Sequence, residues 1–182
     1  MRNEISKAKP NAAHYALSEL ENRLSGETSF TLITQNIDRL HKNAGSRNVV
    51  ELHGDIFVTR CINKECELKP FEDLNSYEGD GAPICTRCGS YLRPGIVLFN
   101  EQIPIDEQWT SKKALRDCDL FIAIGTSGAV SPASNFVRSA DYEGARTILI
   151  NLTEMEPNNP NFREVFLGKA EEVVPELFGF YS

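Results

Sequence analysis

Four cysteines, Cys61, Cys66, Cys85 and Cys88, stand as Cys-x4-Cys-x18-Cys-x2-Cys within a 28-residue stretch. Two close pairs joined by a loop can close a tetrahedral thiolate cage, the ligand set of a structural zinc ion. Four sulfur ligands leave no open position on the metal, so a catalytic zinc is not expected. Gly89, directly after the second pair, lets backbone amides approach the sulfurs. Zinc with four thiolates carries two net negative charges, and Arg60, Lys64, Lys69, Arg87 and Arg93 lie close enough in sequence to screen them. Incidental or redox thiols are the competing reading of the same four residues. The fifth cysteine, Cys118, precedes an apolar run and reads as a buried structural thiol.

A second set of reactive residues sits at the ends of short apolar runs. Open parallel sheets bind ligands at the C-terminal ends of their strands. One run is followed by Gln35-Asn36-Ile37-Asp38, another by His53-Gly54, a third by Gly125-Thr126-Ser127-Gly128, and a fourth by Asn151. Together these ends offer amides, a carboxylate, an imidazole, hydroxyls and a tight glycine turn. Each has a bland reading when taken alone: Asn36 and Asp38 as helix caps, His53 as a turn histidine, 125–128 as a plain turn. A glycine turn feeding a helix N-terminus can also cradle an anionic group. Ser131 and Pro132 read as N-cap and first helical residue of that helix. No GxGxxG fingerprint occurs in the chain. His14 and His41 read as structural or solvated helix residues.

These residues need elements to hold them. Ala13, Ala16, Leu17, Leu20 and Leu24 share a face at helical spacing, with Gly26 closing the helix. Apolar runs at 30–34, 49–52, 96–99, 120–124 and 147–150 read as strands. Helical patterns fall at 37–42, 106–117, 132–142 and 162–167, with Pro175 opening a last short helix. Apolar strands alternating with helices predict an α/β fold, a parallel sheet covered on both faces. The polar, cysteine-bearing stretch 60–92 interrupts that rhythm and reads as a small zinc-binding insert. The expected organisation is 1–59 with 93–182 as the α/β layer domain, and 60–92 as the insert.

The 182 residues carry 26 acidic and 19 basic side chains, for a net charge of −7. That balance argues against a nucleic-acid binder, which needs a positive field along phosphate. The longest strictly apolar run, 120–124, is far below the ~20 residues of a membrane span. No apolar signal segment opens the chain, and the odd cysteine count argues against a secreted disulfide scaffold, so the expected location is cytoplasmic.

Taken together the motifs resemble the sirtuin family of NAD-dependent protein-lysine deacylases. The resemblance runs through Pro10-Asn11-Ala12-Ala13-His14, Thr34-Gln35-Asn36-Ile37-Asp38-Arg39-Leu40-His41 and Glu51-Leu52-His53-Gly54, then the four cysteines. It continues through Leu92-Arg93-Pro94-Gly95-Ile96-Val97-Leu98-Phe99-Asn100-Glu101, Gly125-Thr126-Ser127, Ile150-Asn151-Leu152 and Val173-Val174-Pro175-Glu176-Leu177. The segment 125–133, with its Gly-x-Val-x-Pro-Ala ending, is most similar to the desuccinylase-type bacterial and mitochondrial branch. The resemblance implies a Rossmann-like sheet, NAD as co-substrate, structural zinc, and an acylated-lysine protein or peptide as partner. It implies His53 as general base, activating a ribose hydroxyl after the acyl oxygen has displaced nicotinamide. Products would be deacylated lysine, nicotinamide and O-acyl-ADP-ribose. Gln35, Asn36, Ile37 and Asp38 would line the ribose and nicotinamide pocket. Gly125, Thr126 and Ser127 would hold the diphosphate and adenosine side, Asn151 and Leu152 the adenosine ribose, and Lys169-Ala170 the adenine. Residues 96–101 would border the acyl-peptide channel.

The family pattern also has a Gly-Ala-Gly-x-Ser strand and a cofactor loop ahead of the Pro-Asn-Ala-Ala-His helix. Nine residues precede Pro10 here. The expectation is an incomplete sheet, a missing segment or a partner that completes it, and weak NAD binding and turnover by these 182 residues alone. The alternatives are a non-catalytic zinc-bearing module that binds ADP-ribose or peptide, and a sirtuin-type NAD hydrolase or ADP-ribosyltransferase.

Overall fold

Small apolar residues allow the first long helix to lie flush on a sheet. The computed structural model describes residues 1–24, 26, 29–77 and 81–180. It opens with a one-turn helix α1 (Arg2–Ile5) and α2 (Ala12–Leu24), then β1 (Leu32–Thr34), α3 (Leu40–Asn43) and β2 (Val49–Glu51). Next come β3 (Gly54–Cys61), β4 (Phe71–Glu72), β5 (Leu92–Ile96), α4 (Ile105–Asp117) and β6 (Leu120–Ile124). A 3-10 turn (Ala133–Asn135) leads to α5 (Phe136–Tyr142), β7 (Arg146–Asn151), β8 (Glu164–Leu167) and α6 (Ala170–Leu177).

The parallel layer is in two pieces. β1 pairs with β2, and β6, β7 and β8 pair in that order, all parallel, with no strand hydrogen-bonded to both pieces among the described residues. β7 is the most deeply buried: Ile148, Leu149 and Ile150 are at most 2 % exposed. Ala13 and Ala16 of α2, Val174 of α6 and Ile148 and Ile150 form one core. Burying each large aliphatic contributes about 1.5–3 kcal/mol. β6 has an apolar sequence but stays half-exposed, in keeping with its place at the edge of its sheet among the described residues. Glu21 of α2 is buried and accepts the Arg47 and Asn48 amides at 2.8 and 2.7 Å, which ties the helix to the start of β2.

Several sequence expectations are corrected. Residues 162–167 were expected to be helical, but 164–167 form strand β8, whose side chains alternate between half-buried and exposed as a sheet edge requires. The strand expected at 96–99 lies at Leu92–Ile96 and runs antiparallel to β3, outside the parallel layer. The helix expected at 37–42 is the single turn α3. Pro132 does not open a regular helix; the 3-10 turn intervenes and α5 starts at Phe136. Pro175 sits inside α6, which begins five residues earlier at Ala170.

Strands β4, β3 and β5 form a separate antiparallel sheet that carries the cysteines. It starts at Gly54 and ends at Ile96, beyond the 60–92 stretch at both ends. Gly54 has φ +73°, and a Cβ there would meet the Gly95 carbonyl oxygen at 2.1 Å, so only glycine permits this crossing of β3 and β5.

One buried ion pair joins α1 to this sheet. The Arg2 guanidinium donates to Ile56 O (2.9 Å), Asn75 O (2.8 Å) and Thr59 Oγ1 (3.1 Å), and pairs with Asp73 Oδ2 at 3.1 Å. Burial alone would raise the Asp73 carboxyl, but Thr59, Tyr77, the Asn75 amide and Arg2 hold it well below the usual carboxylate range. Its stabilisation is therefore complete above the unfolded-state value near 4 and is lost as the pH falls below it. Asp73→Ala, which strands a buried guanidinium, is expected to cost about 3–5 kcal/mol in urea unfolding at pH 7. An unchanged midpoint would mean that the pair does not form in solution.

Candidate functional site

The histidine is built first, by two chain crossings. Leu52 N donates to Thr34 O (2.9 Å) and Ile56 N to Ile37 O (3.0 Å), so 34–37 and 52–56 are stapled side by side. His53 Nδ1 then lies 2.9 Å from Gln35 O. A carbonyl only accepts, so Nδ1 carries a proton, and in the neutral ring Nε2 keeps its lone pair. A backbone contact thus fixes the tautomer that a general base needs.

Asp38 accepts the Leu40 amide at 2.9 Å, so the capping reading of this residue holds alongside any ligand role. Asn36 is exposed, and its amide bonds Thr34 Oγ1 at 3.0 Å. Arg39 occupies the left-handed region (φ 61°), and its side chain pairs with Asp55 of β3 and Glu72 of β4. That tether anchors the 35–38 segment to the antiparallel sheet. Behind it, the rings of His14 and His41 meet at 4.6 Å. Burial, reinforced by His14, pushes His41 down to about 4 against the pull of Asp38, so His41 is neutral at pH 7. His41 is therefore a half-buried structural residue rather than a solvated one.

The other strand ends converge on a cleft of about 520 Å³. Gly125, Thr126, Ser127, Asn151, Leu152 and Ala170 line it, together with Asn11, Ile150, Gly168, Lys169 and Glu171. Gln35, Asn36, Ile37, Asp38 and His53 are not among its walls. Asn11, at the cleft wall, accepts the His14 amide on its Oδ1 at 3.3 Å, and the His14 ring in turn packs against His41. The glycine turn is held from within: Gly125 (φ 61°) donates to Ile150 O at 2.9 Å, and Asn151 Nδ2 donates to Thr126 O at 3.1 Å. This use of Nδ2 leaves Asn151 Oδ1 as an acceptor for a hydroxyl. Asn11 lies in the motif at 10–14 but carries no site role in the sequence reading, and Gly168 and Glu171 escape it because 162–167, which precedes them, reads as helical rather than as a strand.

The four cysteine sulfurs lie within 4.8 Å of one another. Cys61 Sγ and Cys88 Sγ are 3.5 Å apart, and Cys66 Sγ and Cys85 Sγ 3.7 Å. A regular tetrahedron with Zn–S bonds of about 2.3 Å has edges of about 3.8 Å. Two edges already match, a small contraction of the wider ones closes the cage on zinc, and Cys61, Cys66, Cys85 and Cys88 are the residues that would hold it. Cys118 stands apart; its thiol donates to Leu115 O at 3.4 Å, and burial pushes it up. Of the cations expected to screen the cage, Arg93 is instead committed to Glu101 and Arg87 faces Glu67.

A profile described as the Sir2 family matches residues 1–132. The chain belongs to the Sir2 family. This Sir2 chain is 42 % identical over 172 residues to the NAD-dependent protein deacylase SIR2rp3 of Leishmania major, covering 94 % of itself and 68 % of that relative. It superposes on a Sir2 homologue solved with NAD at a TM-score of 0.86, with 39 % identity over 97 % of this chain and 66 % of the other. A Sir2 protein bound to an acetylated peptide gives 0.86, with 30 % identity over 97 % and 73 %. The Sir2 chain thus spans about two thirds of the length of these relatives.

Proposed function

We propose that this chain is an NAD-dependent protein deacylase that transfers the acyl group of a modified lysine to the ribose of NAD. The observation that carries the reading is His53, held by Gln35 O with Nδ1 protonated, so that Nε2 can take a proton from a substrate hydroxyl. NAD, when bound, supplies a ribose that accepts the acyl group and nicotinamide that leaves. Gly125, Thr126 and Ser127 line the cleft and suit its diphosphate and adenosine side; Asn151 and Leu152 suit the adenosine ribose and Ala170 the base. Gln35, Asn36, Ile37 and Asp38 form the wall next to His53, where the nicotinamide ribose belongs. Cys61, Cys66, Cys85 and Cys88 hold a zinc ion whose contribution is folding energy, not chemistry.

The organisation that goes with this reading is a Rossmann-like nucleotide-binding part, 1–59 with 93–182, and a zinc-binding part, 60–92. A segment or partner that supplies a strand to the divided parallel layer belongs to the same proposal, as does an acylated peptide as substrate. So does a reducing compartment, the cytoplasm, in which four thiolates stay available to metal. No described helix is long and apolar enough to cross a membrane. The names of the relatives favour deacylation over a purely binding module.

Mass spectrometry of acetyl- and succinyl-lysine peptides incubated with NAD and the protein tests the reading. Deacylated peptide, nicotinamide and O-acyl-ADP-ribose are expected in equal amounts. Nicotinamide released without deacylated peptide would replace this reading with NAD hydrolysis or ADP-ribosyl transfer.

A further inference from the structure

The segment after β5 has no regular secondary structure, yet nearly every turn of it is tied down. Val97 N donates to His53 O at 2.9 Å, so the chain leaves β5 strapped to the histidine's own carbonyl. Glu101 then folds back. Its amide donates to Leu98 O at 3.0 Å, and its Oε2 accepts the Leu98 amide at 3.0 Å. The same carboxylate receives Arg93 as a fork, Nη1 to Oε1 at 2.6 Å and Nη2 to Oε2 at 2.8 Å. Nη2 also bonds Ile96 O at 2.7 Å. Asn100, inside the turn, takes φ +69°, and Phe99 at its tip is 94 % exposed.

Most surface ion pairs are worth little, because long side chains lose freedom in forming them. Here the geometry is bidentate and both partners also engage backbone of the segment they enclose, which is the arrangement that holds shape. A phenylalanine left almost fully in water on a loop braced this firmly is a poor way to stabilise a fold and a good way to present a wall. Arg93 and the Leu98 amide hold the Glu101 carboxyl at about 2, so it remains charged throughout the working pH range.

We infer that Arg93 and Glu101 are a positioning pair, a latch that fixes 97–101 beside His53 as the wall against which an extended acyl-lysine peptide lies. An extended peptide docks through main-chain hydrogen bonds, so a wall whose carbonyls and amides are not already oriented must be ordered at the expense of affinity. The inference rests on the deacylase reading above.

The test compares wild type with Glu101→Gln, which keeps shape and removes charge, and Arg93→Lys, which keeps charge and removes the fork. The measurements are hydrogen exchange of 97–101, binding of a labelled acetyl-lysine peptide, and binding of ADP-ribose. Glu101→Gln is expected to speed exchange of 97–101 and weaken peptide binding, each by about tenfold, with ADP-ribose affinity and β7 exchange unchanged. Arg93→Lys should fall between it and wild type on both altered readouts. Faster loop exchange with unaltered peptide affinity would overturn the inference while leaving the deacylase reading intact. Parallel loss of peptide and ADP-ribose affinity would overturn it as general destabilisation. A wild type that binds no acyl-lysine peptide, with the loop protected as described, would overturn the inference and the deacylase reading together.

Discussion

Removing zinc should abolish the ordered structure of the cysteine-bearing part, and metal analysis of the purified protein should return one zinc per chain. The cluster around the cage consists of little more than Cys61, Cys85 and Leu92, with Cys66 and Leu68 packed against them. Ile62, Ile84 and Tyr91 beside it are exposed. So small an apolar core cannot offset the entropy of ordering its loops. The metal must do so, and structural zinc in small domains contributes apparent free energies of about 10–16 kcal/mol at neutral pH. A strong chelator is therefore expected to release four reactive thiols together with a loss of hydrogen-exchange protection across β3 and β5. Cys88→Ser should lose stoichiometric zinc, whereas Cys118→Ser should retain it, because Cys118 contacts Leu115 and no other thiol. Zinc-free protein with unpaired thiols and an unchanged fold would disprove the assignment.

In a protein whose parallel layer is completed by the family's N-terminal half, replacing His53 by alanine should reduce deacylation by about 10²–10⁴-fold, the range of a single general base. NAD affinity should change far less. The cleft that suits the adenosine and diphosphate is lined by 125–127, 151–152 and 168–171, none of which leans on the imidazole. The staples Leu52 N to Thr34 O and Ile56 N to Ile37 O are backbone bonds and survive the substitution. Single-turnover rates measured beside NAD binding by calorimetry separate the two effects. An equal loss of binding and turnover would make His53 a structural residue of the turn.

Much of this site is legible in the primary structure because its signals are local. The cage depends on the spacing of two cysteine pairs, and that spacing brings four sulfurs within 4.8 Å. The glycine turn at 125–128 and the Asn151 strand end adjoin apolar runs that became β6 and β7 as expected. Periodicity failed where burial is one-sided or brief. Glu164–Leu167 alternates too weakly to distinguish a sheet edge from a helix turn, and β3, whose short apolar run 56–58 adjoins the polar stretch read as an insert, shows its full length only when paired with β5. Element ends moved for similar reasons: Pro175 is a valid first-turn residue, but α6 gains five residues by packing Val174 against Ile148 and Ile150.

The sequence by itself determined the reacting groups, namely four thiolates, an imidazole beside a glycine, and hydroxyls and amides at strand ends, because side-chain chemistry and short-range spacing need no fold to be read. Only the tertiary structure decided which of them act together. His53 finds the Gln35 carbonyl and Arg2 finds Asp73, although no pattern connects these residues along the chain, and Arg93 turns to Glu101 of its own motif rather than to the thiolate cage. The partners of His53 and Arg2 are long-range choices among several groups of the right charge or polarity. Those choices are settled by the burial that deprives a polar group of water and makes the donor or acceptor within reach the partner it must take.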